Sequence, residues 1–102
     1  MATAAATIWH DRSEPRDEVM HRARAVGPDG RHLSVTVVNV SPHGMMLRCD
    51  QDYPEGERLS VALPAIGIVT AVVRWSLGGR IGCQLERAIP ANRYHQVLGA
   101  MA

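Results

Sequence analysis

The chain has 102 residues, 46% of them hydrophobic, and a formal net charge of +1. That is enough apolar material for the core of one domain, and a balance that argues against bulk binding to nucleic acid or an anionic membrane. No apolar run approaches the ~20 residues that cross a bilayer, and Met1 to Thr7 lacks the basic start of a signal peptide.

From the N-terminus, residues 1–17 hold alternating charges and Pro15 without a clean period, which predicts an extended, flexible arm. Pro15 also biases Glu14 away from helical dihedrals. Residues 18–89 read as short strands. Val19 to Val26 alternates, with Arg22 and Arg24 on one face and Ala23 and Ala25 on the other. Gly27-Pro28-Asp29-Gly30 is a turn signal. Leu33 to Val40 is β-branched and alternating, and Ser41-Pro42-His43-Gly44 makes a corner. Met45 to Cys49 resumes as strand, and Asp50 to Gly56 is a polar loop. Leu59, Val61 and Leu63 face one way in a strand that Pro64 ends. Ile66 to Trp75 is a long apolar strand, Leu77-Gly78-Gly79 reverses the chain, and Ile81, Cys83 and Leu85 point inward from the last strand. Residues 90–102 favour helix, with Tyr94, Val97, Leu98 and Met101 at helical spacing and Pro90 suited to the first turn.

These elements predict an all-β fold with one C-terminal helix. Tight turns imply antiparallel neighbours, and a six-stranded antiparallel β-barrel removes exposed edges. Cys49 and Cys83 lack metal-ligand spacing and read as reduced, buried thiols of a cytoplasmic protein. No histidine pairs at helical spacing with acids or cysteines as in a zinc site. Ser41 beside His43 is weak evidence for a nucleophile, so no enzyme, metal or cofactor is expected.

Two motifs carry functional information. Arg12-Ser13-Glu14-Pro15-Arg16 places two arginines in the arm. After twenty-two residues, Asn39-Val40-Ser41-Pro42-His43-Gly44 forms the corner. The start of the first strand and the end of the second are neighbours in an antiparallel pair, so the arm can fold over the corner. All eleven basic residues are arginine, and each carries a planar fork that stacks and bonds bidentately.

This pair of motifs resembles the hallmark of the PilZ family of cyclic di-GMP receptors, Arg-x-x-x-Arg followed by Asp/Asn-x-Ser-x-x-Gly. The resemblance runs from about Asp11 to the C-terminus and includes Val72-Val73-Arg74-Trp75 and Gly79 to Cys83. It implies a PilZ-like barrel that binds cyclic di-GMP through Arg12, Arg16, Asn39, Ser41 and Gly44, with Trp75 as a further aromatic face. It also implies that the ligand orders the arm and that the protein signals through a protein partner in motility, biofilm or polysaccharide control. The chemistry agrees, since an arginine fork bonds guanine O6 and N7 and stacks on purines. Asn39 and Ser41 offer polar groups to guanine edges or phosphate, and Gly44 permits an unusual backbone and close approach. By its residue type alone, Trp75 reads first as core. Asn39 stands where Asp is commoner, and Asp11 stands where some relatives carry a further arginine. An acid there repels phosphate and points to one ligand per site. The rival readings are a ligand-independent adaptor of the same fold and a single-strand nucleic-acid barrel. Two Trp, two Tyr and no Phe count against the second of these, which needs exposed aromatics in a basic groove.

Overall fold

The structure, a computed structural model, describes residues 14–101. Its strands are β1 (Asp17–Val26), β2 (His32–Ser41), β3 (Gly44–Arg48), β4 (Arg58–Leu63), β5 (Gly67–Leu77) and β6 (Arg80–Leu85), followed by helix α1 (Ala91–Met101). They form a closed antiparallel barrel in the order β1-β2-β3-β6-β5-β4. The barrel closes through Ala25↔Val61 and Val26↔Ser60. The expected six-stranded barrel with one C-terminal helix is therefore the fold.

Alternation explains the core. Ala23 and Ala25 are buried while Arg22 and Arg24 are exposed. Val35, Val37, Val40, Leu47, Leu59, Val61, Ala71, Val73 and Ile81 are fully or almost fully enclosed. Side chains of successive strand residues point to opposite faces, so each strand supplies every second residue to the interior. Helix α1 adds Val97 and Met101, both buried, each worth about 1.5–3 kcal/mol if fully transferred from water. Cys49 and Cys83 are free and buried. Burial, with a smaller effect of nearby Cys49, pushes the Cys83 thiol up to about 12, which leaves it unreactive.

Element ends differ from the expected ones by one or two residues, and three of these differences have a visible cause. Strand β1 begins at Asp17, because Asp17 already pairs with Val40. Strand β5 begins at Gly67, because Ala65 adopts a φ of 71° in the preceding turn, and it runs on to Leu77. That end is set by Gly78 and Gly79, with φ of 61° and 82°, the two-residue hairpin geometry that matches strand twist.

Three strands carry bulges, and two of these bulges decide what the barrel shows to its surroundings. In β2 the register shifts between Val37 and Asn39, and in β5 between Val73 and Trp75. Strict alternation after Val35 and Val37 would aim Asn39 into the core, and after Ala71 and Val73 it would aim Trp75 there too. The extra residue turns each side chain outward, as bulges do.

Candidate functional site

The outward turn creates one strip across five strands. Trp75 lies opposite Gly82, Gly82 opposite Met46, Met46 opposite Asn39, and Asn39 opposite Glu18. All face away from a core that holds Met45, Leu47, Ile81 and Cys83. The Trp75 indole lies flat against the β6 backbone: a Cβ on Gly82 would sit 2.2 Å from its Nε1. Only glycine leaves that space. Trp75 is thus half-buried on the outer surface, not a core residue as its type suggests.

At the other end of the strip, Asn39 is half-buried. Its Nδ2 reaches the Met46 Sδ at 3.9 Å, a weak acceptor. Its Oδ1 is buried and has no hydrogen-bond partner among the described residues. An unpaired buried acceptor costs about 1–3 kcal/mol.

The corner follows directly. Ser41 pairs with Gly44 around Pro42 and His43. Ser41 is 3% exposed, and its Oγ accepts the Gly44 N–H at 3.2 Å, so the hydroxyl closes the turn. Gly44 is required for a different reason from the one expected. Its φ is not positive. A Cβ there would lie 2.8 Å from the Cys83 carbonyl oxygen on β6, a backbone atom that cannot step aside. The corner's own carbonyls are bonded as well, Pro42 O to Ile89 N and His43 O to Leu85 N, both at 2.8 Å.

The stem of the arm is tied at two points. Glu14 Oε2 hydrogen-bonds His43 Nδ1, an ion pair when the imidazole is protonated. Burial raises the Glu14 pKa, but hydrogen bonds from His43 and Ser41 and the His43 charge outweigh it, so the carboxyl is held below its ordinary value. Three residues on, Asp17 Oδ2 lies 2.7 Å from the Tyr94 hydroxyl, which is also 3.0 Å from the Val40 carbonyl. Burial pushes the Tyr94 hydroxyl upward, and the Asp17 and Glu14 carboxylates push it further, because a phenolate would face both. Arg16, exposed, sits between these two ties.

Of the residues expected at the site, Arg16, Asn39, Ser41 and Gly44 thus gather at one end of the barrel, and Trp75 lies at the far end of the same outer strip. Arg12 and the rest of the arm through Ser13 lie outside the described residues. Glu14, His43 and Tyr94 were not among the residues expected at the site; His43 was weighed only as a neighbour of Ser41, and Tyr94 only as a helix-face residue. Glu14 stands between the two motif arginines and His43 inside the corner motif, so their positions were suggestive. Nothing local marks Tyr94.

Among the described residues, no group of three or more His, Cys, Asp or Glu is placed to hold a metal, and no helix is long and apolar enough to cross a membrane. The PilZ domain profile matches residues 10–101, almost the whole chain. The chain belongs to the PilZ domain family. PilZ domains are a family of cyclic di-GMP receptors, typically non-catalytic. No curated protein matches the chain. The match spans both motifs.

Proposed function

We propose that this PilZ domain binds cyclic di-GMP in the cytoplasm on the strip between Asn39 and Trp75, gripped by Arg12 and Arg16, and passes the event to a protein partner. The observation that carries the reading is the buried Asn39 Oδ1, without a partner among the described residues. Guanine presents N–H donors on its Watson–Crick edge, and a buried acceptor facing them gains what it lacks in the free protein. Trp75 stands across three strand spacings, about 14 Å away at ~4.8 Å each, with Met46 and Gly82 as the floor between. A ligand with two purines can meet both ends. Ser41 and Gly44 serve by shaping the corner, and the Ser41 hydroxyl also reaches toward the position now taken by the Glu14 carboxylate. Arg12 and Arg16 supply the cations for guanine edges and phosphate. Ordering the arm costs conformational entropy, so net affinity is less than the contacts alone would give.

Calorimetric titration of cyclic di-GMP into the wild type, Arg12→Ala and Arg16→Ala tests this. One ligand per chain is expected. Each substitution removes a charge-assisted contact of about 1.5–3 kcal/mol, roughly ten- to hundredfold in affinity. Absence of binding by the wild type removes the proposal, and equal affinity in the double variant removes the arginine grip.

A second reading, an adaptor that works without ligand, is favoured by the Glu14–His43 contact, which holds the stem of the arm on the corner in the free protein. Partner binding that is unchanged by Arg16→Ala and by added cyclic di-GMP would establish it.

A further inference from the structure

Beside the strip that carries Asn39 and Trp75 runs a second outer row. Arg22 lies opposite Thr36, Thr36 opposite Arg48, Arg48 opposite Arg80, and Arg80 opposite Leu77. The row borders a groove of about 580 Å³. Met20 also lines it at the β1 end, 70% exposed, and Leu77 closes the row at the β5 end, 77% exposed.

The electrostatics of this row are unfavourable as they stand. Arg48 and Arg80 are directly opposed across β3 and β6, and like charges so placed are destabilising. Among the described residues none of the three arginines is in an ion pair. Asp50 is the one carboxylate in the groove lining. Three guanidiniums against one carboxylate leave a positive groove that nothing described in the chain neutralises.

We infer that this groove docks an extended acidic segment of a partner protein, with carboxylates on Arg22, Arg48 and Arg80 and apolar residues on Met20 and Leu77. The length agrees. From β1 to β5 the row crosses four strand spacings, about 19 Å at ~4.8 Å each, which an extended segment of about six residues covers at ~3.3 Å per residue. A single small anion is too short to span that row and would leave its apolar ends bare. Arginine and methionine are among the side chains that protein interfaces enrich. The row has no aromatic side chain on which a nucleobase could stack. The inference does not rest on cyclic di-GMP binding, because the groove and its charges are present in the free protein.

The probe is a fluorescein-labelled peptide, Leu-Glu-Ser-Glu-Ser-Glu-Leu, followed by anisotropy at low salt. Its counterpart with Gln in place of Glu is the control. The acidic peptide is expected to bind at least tenfold more tightly than the Gln peptide, and more weakly as salt rises. Arg22→Gln/Arg48→Gln/Arg80→Gln is expected to lose at least tenfold, while Arg58→Gln, whose arginine pairs with Glu86 elsewhere on the barrel, leaves binding unchanged. Undiminished binding by the triple variant overturns the inference. So does inorganic pyrophosphate binding as tightly as the peptide, which would make this a small-anion site, or an oligo-dT binding more tightly in an arginine-dependent way. The free protein supplies a second readout. Arg80→Gln relieves the repulsion from Arg48, so its melting temperature is expected to equal or exceed that of the wild type. A clear fall would mean that the arginines support the fold and await no partner.

Discussion

Glu14 stands between the two motif arginines and holds the corner that a ligand phosphate would approach. Its carboxylate occupies His43 and the Ser41 hydroxyl and would oppose a phosphate arriving at the corner in the proposed complex. Glu14→Gln removes that charge and loosens the stem. The pair is only partly shielded, with side chains 31% exposed for Glu14 and 67% for His43, so the scale for exposed ion pairs applies, about 0.2–1 kcal/mol. If the contact must open for ligand to bind, its removal raises apparent affinity by the corresponding factor, about 1.4- to 5-fold. Titration of cyclic di-GMP into Glu14→Gln at neutral pH and low salt measures it, and the gain should shrink as salt screens the pair. The sign with pH is fixed by the lowered pKa of Glu14. Its contribution to stability is fully present above the unfolded carboxyl pKa, and it is lost as pH falls through the lower folded value. Wild type and variant should therefore differ at neutral pH and converge only in acid, below about pH 4.5. Unchanged or weaker binding by Glu14→Gln at neutral pH would mean that the carboxylate helps the ligand, and would refute the competition.

Three further outcomes follow from the geometry. Asn39→Ala should leave the melting temperature unchanged or slightly raised, because the unpartnered Oδ1 goes with it, while cyclic di-GMP affinity falls by about 1–2 kcal/mol; a stability loss instead would show the amide to be structural. Gly44→Ala should destabilise by about 1–3 kcal/mol, as overpacking against an immovable backbone does, which is roughly 4–8 °C in melting temperature per kcal/mol for a domain of this size. Thermal unfolding reads it, and a shift under 2 °C would contradict the 2.8 Å approach to Cys83 O. Tyr94→Phe removes a hydrogen bond to a carboxylate, worth about 1.5–3 kcal/mol, and should speed amide exchange at Asp17 and Glu18 before it affects the barrel; uniform exchange loss would show that α1 is held by other contacts.

The alternation of Ala23 and Ala25 with Arg22 and Arg24, and of Ile81, Cys83 and Leu85, made the barrel legible, because period-2 patterning is a local property of each strand. The hairpin at Gly78 and Gly79 was legible for the same reason. What the sequence hid depends on partners far along the chain. Gly44 faces a carbonyl 39 residues away, and Tyr94 reaches Asp17 across 77, neither of which has a local signature. The bulges were the costliest omission. Read without them, Trp75 belongs to the core, whereas one extra residue in β5 lays it on Gly82. The same device in β2 turns Asn39 outward, so the two ends of the strip are both products of a register shift that composition does not encode.

Because the two outer rows share strands, their occupants cannot be independent. Met46 and Arg48 are two residues apart on β3, as are Gly82 and Arg80 on β6, a spacing of about 7 Å on one face. A phosphate resting on the first row lies close enough to weaken the pull of the second on carboxylates. At 7 Å in water each unit-charge pair is worth about 0.6 kcal/mol, about a threefold loss of acidic-peptide affinity when cyclic di-GMP is bound. The coupling must be reciprocal, so saturating peptide should weaken cyclic di-GMP by the same factor. Paired titrations in both orders measure it. A peptide that binds more tightly to the ligand-loaded protein would reverse the sign of the coupling. The arm would then have to bring new cationic or apolar surface to the groove, since the barrel alone supplies only repulsion between the two anions.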